Sequence, residues 1–137
     1  MNFLEYVEGK LPVVTMDFDH NLMFETGEPN METVNQFKEL QQDYDVYIVT
    51  TQIKSSEKLA LINKFLSDNG LKAKDVFFTN GKLKTDIILS LGSTMHFDDD
   101  EEELEALTKV NPNIKVIHTF NKEKWDEYFS SLYDDDD

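Results

Sequence analysis

Five short apolar runs rich in β-branched residues recur along the chain: Val13-Val14-Thr15-Met16, Val46-Tyr47-Ile48-Val49, Val76-Phe77-Phe78, Thr94-Met95-His96-Phe97 and Ile114-Lys115-Val116-Ile117. Between them the apolar period changes. Met31, Val34, Phe37 and Leu40 fall at helical spacing, as do Leu59, Ile62, Phe65 and Leu66, then Ile87, Ile88 and Leu91, then Leu104 and Leu107. Trp125, Tyr128, Phe129 and Leu132 make a last apolar face, read as core packing. Pro29-Asn30 is placed to open the first helix and Asn69-Gly70 to close the second. Strands alternating with helices predict right-handed crossovers and an α/β, Rossmann-like three-layer sandwich around a parallel sheet of about five strands.

Such a sheet binds ligands beyond the carboxyl ends of its strands, near a switch in strand order. The residues that end each run are therefore the ones to read. The first run ends in Asp17-Phe18-Asp19, the second in Thr50-Thr51-Gln52 and the fourth in Asp98-Asp99-Asp100, while Lys82 and Lys84 precede the helix that leads into the fourth. Asp17 and Asp19 are two apart, so on extended backbone they lean the same way. With Asp98 and Asp99 up to four carboxylates gather, and like charges that close do not all stay ionised without a cation. Oxygen-only ligands of this kind suit Mg²⁺. A carboxylate can attack phosphorus, a second acid can protonate the leaving oxygen, and a threonine with a lysine can hold the transferring oxygens.

The same residues carry a resemblance. Asp17-Phe18-Asp19-His20-Asn21-Leu22 resembles the first motif of the haloacid dehalogenase superfamily, the aspartate-nucleophile phosphatases. Val46 to Thr50 resembles the second, Lys84 to Leu89 the third and Met95 to Asp99 the fourth, in the family's order and across residues 13 to about 118. The resemblance implies Asp17 as nucleophile and Asp19 as general acid/base. It also implies Thr50 on phosphate, Lys84 steadying the phospho-aspartate, and Asp98 with Asp99 helping to hold Mg²⁺; with the gathered-carboxylate reading, the metal candidates are Asp17, Asp19, Asp98 and Asp99. Asn21 departs from the pattern, standing where the family usually has Thr or Val. Gly27-Glu28-Pro29-Asn30 before a helix is similar to small members found in phages and bacteria. The intervals between motifs have no room for a cap domain, which implies an open site flanked by the loop from His20 to Pro29.

Several of these positions have plainer readings. An aspartate pair is commonly a turn or capping cluster. Asp100 to Glu103 reads as helix start and solvated face, since acids meet the macrodipole in a first turn. Lys82 competes with Lys84 as a surface alternative, and Thr51 with Thr50, because Thr51 is also placed to cap the next helix. His20 and Gln52 flank the site; His96 and His118 read as core.

Bulk properties narrow the partners. A length of 137 residues fits one domain, expected over 1–133, with the acidic run 134–137 a disordered tail. The net charge is −15, of which the terminal aspartates supply only part, so the body is acidic and nucleic-acid binding is disfavoured. The chain has no cysteine, hence no disulfide and no thiolate zinc site. The first residues do not read as a signal peptide, and no run approaches the roughly 18 apolar residues of a membrane span. A cytoplasmic protein is expected (host cytoplasm if viral), with no membrane partner and no signal of oligomeric state. The leading expectation is a Mg²⁺-dependent phosphomonoesterase acting on a small phosphorylated metabolite, a nucleotide or a phosphoprotein. Its competitors are an acidic decoy on a phosphatase scaffold, and a polynucleotide-end phosphatase using Lys54, Lys58, Lys82 and Lys84 as a basic groove.

Overall fold

The computed structural model describes residues 11–119. The apolar face at Trp125 to Leu132 and the 134–137 tail lie outside them. The order of elements is β1 (Val13–Met16), α1 (Met31–Leu40), β2 (Asp45–Thr50), α2 (Ser56–Asp68), β3 (Asp75–Phe78), α3 (Thr85–Ser90), β4 (Ser93–Asp98), α4 (Glu101–Val110) and β5 (Lys115–His118). The five strands form one parallel sheet in the order β3-β2-β1-β4-β5. This is the Rossmann-like α/β architecture that the alternation of periods predicts. The chain steps outward from β1 through β2 to β3, then returns to the other side of β1. The order therefore reverses between β1 and β4, and the crevice of such a fold opens there.

The two faces of the sheet are covered differently. Val14 and Met16 of β1, Val46 and Ile48 of β2 and Phe97 of β4 pack with Val34 and Phe37 of α1 and with Ile62, Phe65 and Leu66 of α2. The opposite face has a smaller apolar cluster, Val49, Ile88, Leu107 and Ile114, under α3 and α4. Alternation along β1 and β4 turns Thr15, His96 and Asp98 toward this second face, and all are fully buried. Polar side chains thus fill space that would otherwise be core, and each must find a partner.

Local signals account for most element ends. The Ser55 side chain accepts from Lys58 N (3.1 Å) and caps α2, so the cap is Ser55 and not Thr51. Gly70, at φ 69°, takes the left-handed turn that closes α2 after Asn69. Asn30 sits at the N-cap of α1 without a side-chain cap bond; its Nδ2 donates instead to the Asn21 carbonyl (3.0 Å), tying the helix start to the loop after β1. Asp100 caps α4 by accepting from Glu102 N (2.9 Å), as an acidic helix start should.

Two assignments change. His118 is exposed at the end of β5 rather than core, since β5 is the sheet edge and its last residue has no neighbouring strand on one side. Glu103 is buried rather than solvated, because helical periodicity turns the third glutamate of the run inward toward α3. Between Asp19 and Thr50 lie one loop and α1, and between Thr50 and Lys84 lie α2, β3 and turns, so no cap domain interrupts the fold. Among the described residues, no helix is long and apolar enough to cross a membrane.

Candidate active site

Phe18 fixes the geometry of the first acidic pair. It is fully buried on the α1/α2 face and meets Phe65 edge-on, with ring centroids 5.3 Å apart and planes at 88°. That anchor turns its neighbours Asp17 and Asp19 the other way, into the crevice. The chain then folds back sharply. His20 adopts a left-handed conformation (φ 62°), Leu22 N donates to the Phe18 carbonyl (2.9 Å), and Asn21 Nδ2 donates to the Asp17 carbonyl (2.6 Å). Asn21 is fully buried, and its amide holds the turn through a bond that Val could not make.

Lys84 is the centre of the site. Its side chain is 2% exposed, and Nζ lies 2.8 Å from Asp17 Oδ1 and 2.8 Å from Asp98 Oδ2. Lys82, by contrast, is exposed. Glu103 Oε2 accepts from the Lys84 backbone N–H (3.0 Å), so α4 fixes the start of α3 from which the lysine reaches back. Burial pushes the Glu103 carboxyl above its ordinary range, and the bond from Lys84 N–H partly offsets this. Asp98 is held from several sides: His96 Nε2 lies 2.8 Å from its Oδ2, and Asp100 N donates to its Oδ1 (3.0 Å).

These contacts set the charge states. Burial opposes the Asp98 anion, but the His96 hydrogen bond and the Lys84 charge outweigh it and bring the carboxyl down to about 2. Burial likewise opposes the Lys84 cation, and the charges of Asp17 and Asp98 override it, raising the ammonium above its usual range. His96 is lowered by burial, which its bond to Asp98 only partly offsets, so the ring is neutral. Asp17 is raised well above the carboxylate range, by burial first; Lys84 pulls it down, while the Asp98 charge and the Asp99 carboxyl push it up again. Lys84⁺ and Asp98⁻ already neutralise one another. A second anion at Asp17 would share that lysine with Asp98 and leave the trio with one negative charge in surplus.

Asp17, Asp98 and Asp99 can each direct one oxygen so that all three lie within 4.8 Å of one another. The donor set is hard oxygen, and its surplus negative charge is what a divalent cation would balance; the residues fit such an ion. Asp19 is not part of this cluster. Its Oδ2 accepts from Gln52 Nε2 (2.6 Å), across from the end of β2. Thr50 is fully buried, with Oγ1 accepting from Gln52 N (3.3 Å), while Thr51 is exposed on the wall of the crevice. The crevice is an open cleft of about 450 Å³ lined by Asp17, Asp19, His20, Thr51, Lys84 and Asp98 to Glu101.

No family model matches the chain, and no curated protein does. Among solved structures, a chain of the Pnkp1/Rnl/Hen1 RNA repair complex matches with a TM-score of 0.64 at 15% identity, over 78% of this chain and 42% of that one. A chain from another structure of the Pnkp1/Rnl/Hen1 complex matches at 0.61 and 14% identity, over 78% of this chain and 45% of that one. The likeness is one of fold. This chain spans less than half the length of either neighbour.

Of the residues singled out from sequence, the structure brings Asp17, Asp19, Lys84, Asp98 and Asp99 to one cleft; Thr50 is fully buried and does not line it, whereas its neighbour Thr51 does. Glu103 accepts from the Lys84 backbone and Gln52 donates to Asp19, contacts that residue type alone does not predict. Glu103 was hidden inside an acidic run whose members look alike. Its signal is the helical period, which separates it from the exposed Glu101 and Glu102.

Proposed function

We propose that the chain is a Mg²⁺-dependent phosphomonoesterase of the haloacid dehalogenase type, working through an aspartyl-phosphate on Asp17. The observation that carries this reading is a buried lysine bridging two acids at the β1/β4 switch point, with a third carboxylate beside them. A decoy has no use for so costly an arrangement.

In the first step an Asp17 oxygen attacks phosphorus, the bond from phosphorus to the ester oxygen breaks, and Asp19 gives its proton to that leaving oxygen. Lys84 holds Asp17 Oδ1, which leaves the other oxygen for attack. Gln52 holds Asp19 Oδ2, which leaves the other oxygen to carry the proton. In the second step Asp19 takes a proton from water, the water oxygen bonds to phosphorus, and Asp17 leaves as the carboxylate with release of phosphate. The Thr50–Thr51 corner and Lys84 steady the phosphoryl oxygens. Mg²⁺ bound by Asp17, Asp98 and Asp99 would balance phosphoryl charge during transfer.

An aryl phosphate should be hydrolysed with Mg²⁺ and not with EDTA, and Asp19→Asn should lower kcat by about 10²- to 10⁴-fold. Hydrolysis that persists in EDTA, or an unchanged rate in the Asn variant, contradicts the reading.

The fold neighbours from an RNA repair complex favour one second reading, a polynucleotide-end phosphatase. Lys84 is buried and engaged in this protein, so backbone contacts would fall to the exposed Lys54, Lys58 and Lys82. An end-phosphorylated oligonucleotide preferred over a small phosphate ester, with a rate that falls as salt rises, supports this reading. Equal rates at all salt concentrations count against it.

A further inference from the structure

Asp98 accepts three hydrogen bonds. Both Lys84 Nζ and His96 Nε2 approach Oδ2 at 2.8 Å, and Asp100 N approaches Oδ1 at 3.0 Å. A carboxylate offers about four lone-pair sites. With Oδ2 filled from two sides and Oδ1 filled from one, a single position on Oδ1 remains. We propose that His96 is the positioning residue that presets Asp98 as a one-oxygen metal ligand, and that Thr15 and Ser93 in turn hold the His96 ring; this rests on the metal reading above.

The ring is held through a chain of buried groups. Nε2 faces a carboxylate and so donates, and a neutral imidazole then offers Nδ1 as acceptor. Thr15 Oγ1 lies 2.8 Å from Nδ1 and 2.9 Å from Ser93 Oγ. The bonds therefore run from Thr15 O–H to His96 Nδ1 and from His96 Nε2–H to Asp98 Oδ2, while the single Ser93 hydroxyl proton is shared between Thr15 Oγ1 and the Met95 carbonyl (2.8 Å). Thr15 and His96 are paired residues of β1 and β4, and all four side chains are buried. The chain thus runs along the switch point from the interior of the sheet to its carboxyl end. An aliphatic residue at 96 would fill the space and remove one of the two bonds on Oδ2, so that a cation could reach either oxygen or both while Lys84 and Asp100 N still hold the carboxylate. Partners of this kind to a metal ligand commonly tune affinity by about 10- to 100-fold.

The test is Mg²⁺ titration by calorimetry without substrate, on wild type, His96→Leu, His96→Gln and Thr15→Val, each with its thermal melt. Leu removes the donor; Gln keeps an N–H near the position of Nε2; Val keeps the shape of Thr15 and removes its hydroxyl. Expected is a loss of about 10- to 100-fold in Mg²⁺ affinity for Leu, a smaller loss for Val and recovery to within a few-fold of wild type for Gln. A purely structural role would lower the melts without this order of affinities. If the Leu variant does not fold, Gln near wild type with Val weakened supports the proposal, and Val equal to wild type overturns it. Leu equal to wild type, or Gln as weak as Leu, overturns the positioning role alone. A wild type that binds no Mg²⁺ overturns it together with the metal reading.

Discussion

Asp17→Asn should abolish turnover, by about 10³-fold or more, and at the same time make the metal-free protein more stable. The first effect follows from removing the nucleophile. The second follows from where that nucleophile is kept. Burial, the Asp98 charge and the Asp99 carboxyl hold the Asp17 proton on well above the ordinary carboxylate range, against the pull of Lys84. In the unfolded chain the same group ionises near pH 4. Between these two values the native state binds more protons than the unfolded state, so stability falls as pH rises through that window and stays lost above it. Asn keeps an oxygen for Lys84 and has no proton to lose. Melting curves from pH 5 to 8 in EDTA should therefore show the variant above wild type, with a gap that does not shrink as pH rises. Added Mg²⁺ should close the gap by stabilising wild type alone. Equal turnover would remove Asp17 from the chemistry, and a variant that melts below wild type at every pH would contradict the electrostatic account.

Lys84→Met should be the most damaging single change to the fold among the site residues. Methionine nearly matches the volume, so little of the loss comes from packing. What is lost is the cation between two buried carboxylates, each 2.8 Å away. Removing one member of a buried ion cluster commonly costs about 3–5 kcal/mol, because the remaining charges are left in a poorly solvating interior. For a domain of this size that is a fall in melting temperature on the order of 10 °C or more. The double variant Asp98→Asn/Lys84→Met should melt well above Lys84→Met alone, since the stranded Asp98 charge has been removed. Thermal denaturation of the four proteins of this cycle measures the coupling. A Lys84→Met protein that melts with wild type, or effects that simply add, would show that the lysine is not the counter-charge.

The strands, the alternation with helices and the acids at the strand tips were all legible in the sequence, because each rests on short-range periodicity. Burial by sheet neighbours was not. Thr15 meets His96 only because β1 pairs with β4, across 81 positions of sequence. No local pattern distinguishes that pairing from an apolar core, so His96 reads as filler when it is a hydrogen-bond donor to Asp98. Lys82 and Lys84 both precede the same helix, and only tertiary burial separates the exposed one from the one that bridges Asp17 and Asp98. Ser55 and Thr51 are both plausible caps by residue type, and the chain path between β2 and α2 decides for Ser55. The spacing of Asp17 and Asp19 puts both at the strand tip, but the bond from Gln52 to Asp19 depends on how the end of β2 faces the end of β1.

Chemical trapping tests the central claim most directly. Protein turning over an aryl phosphate with Mg²⁺ is quenched with borohydride, which reduces an acyl phosphate to an alcohol, and the peptide bearing residue 17 is sequenced by mass spectrometry. The account predicts homoserine at position 17, dependent on substrate and absent after EDTA treatment. Full turnover with residue 17 unmodified, or reduction found at Asp19 or Asp98 instead, would contradict it.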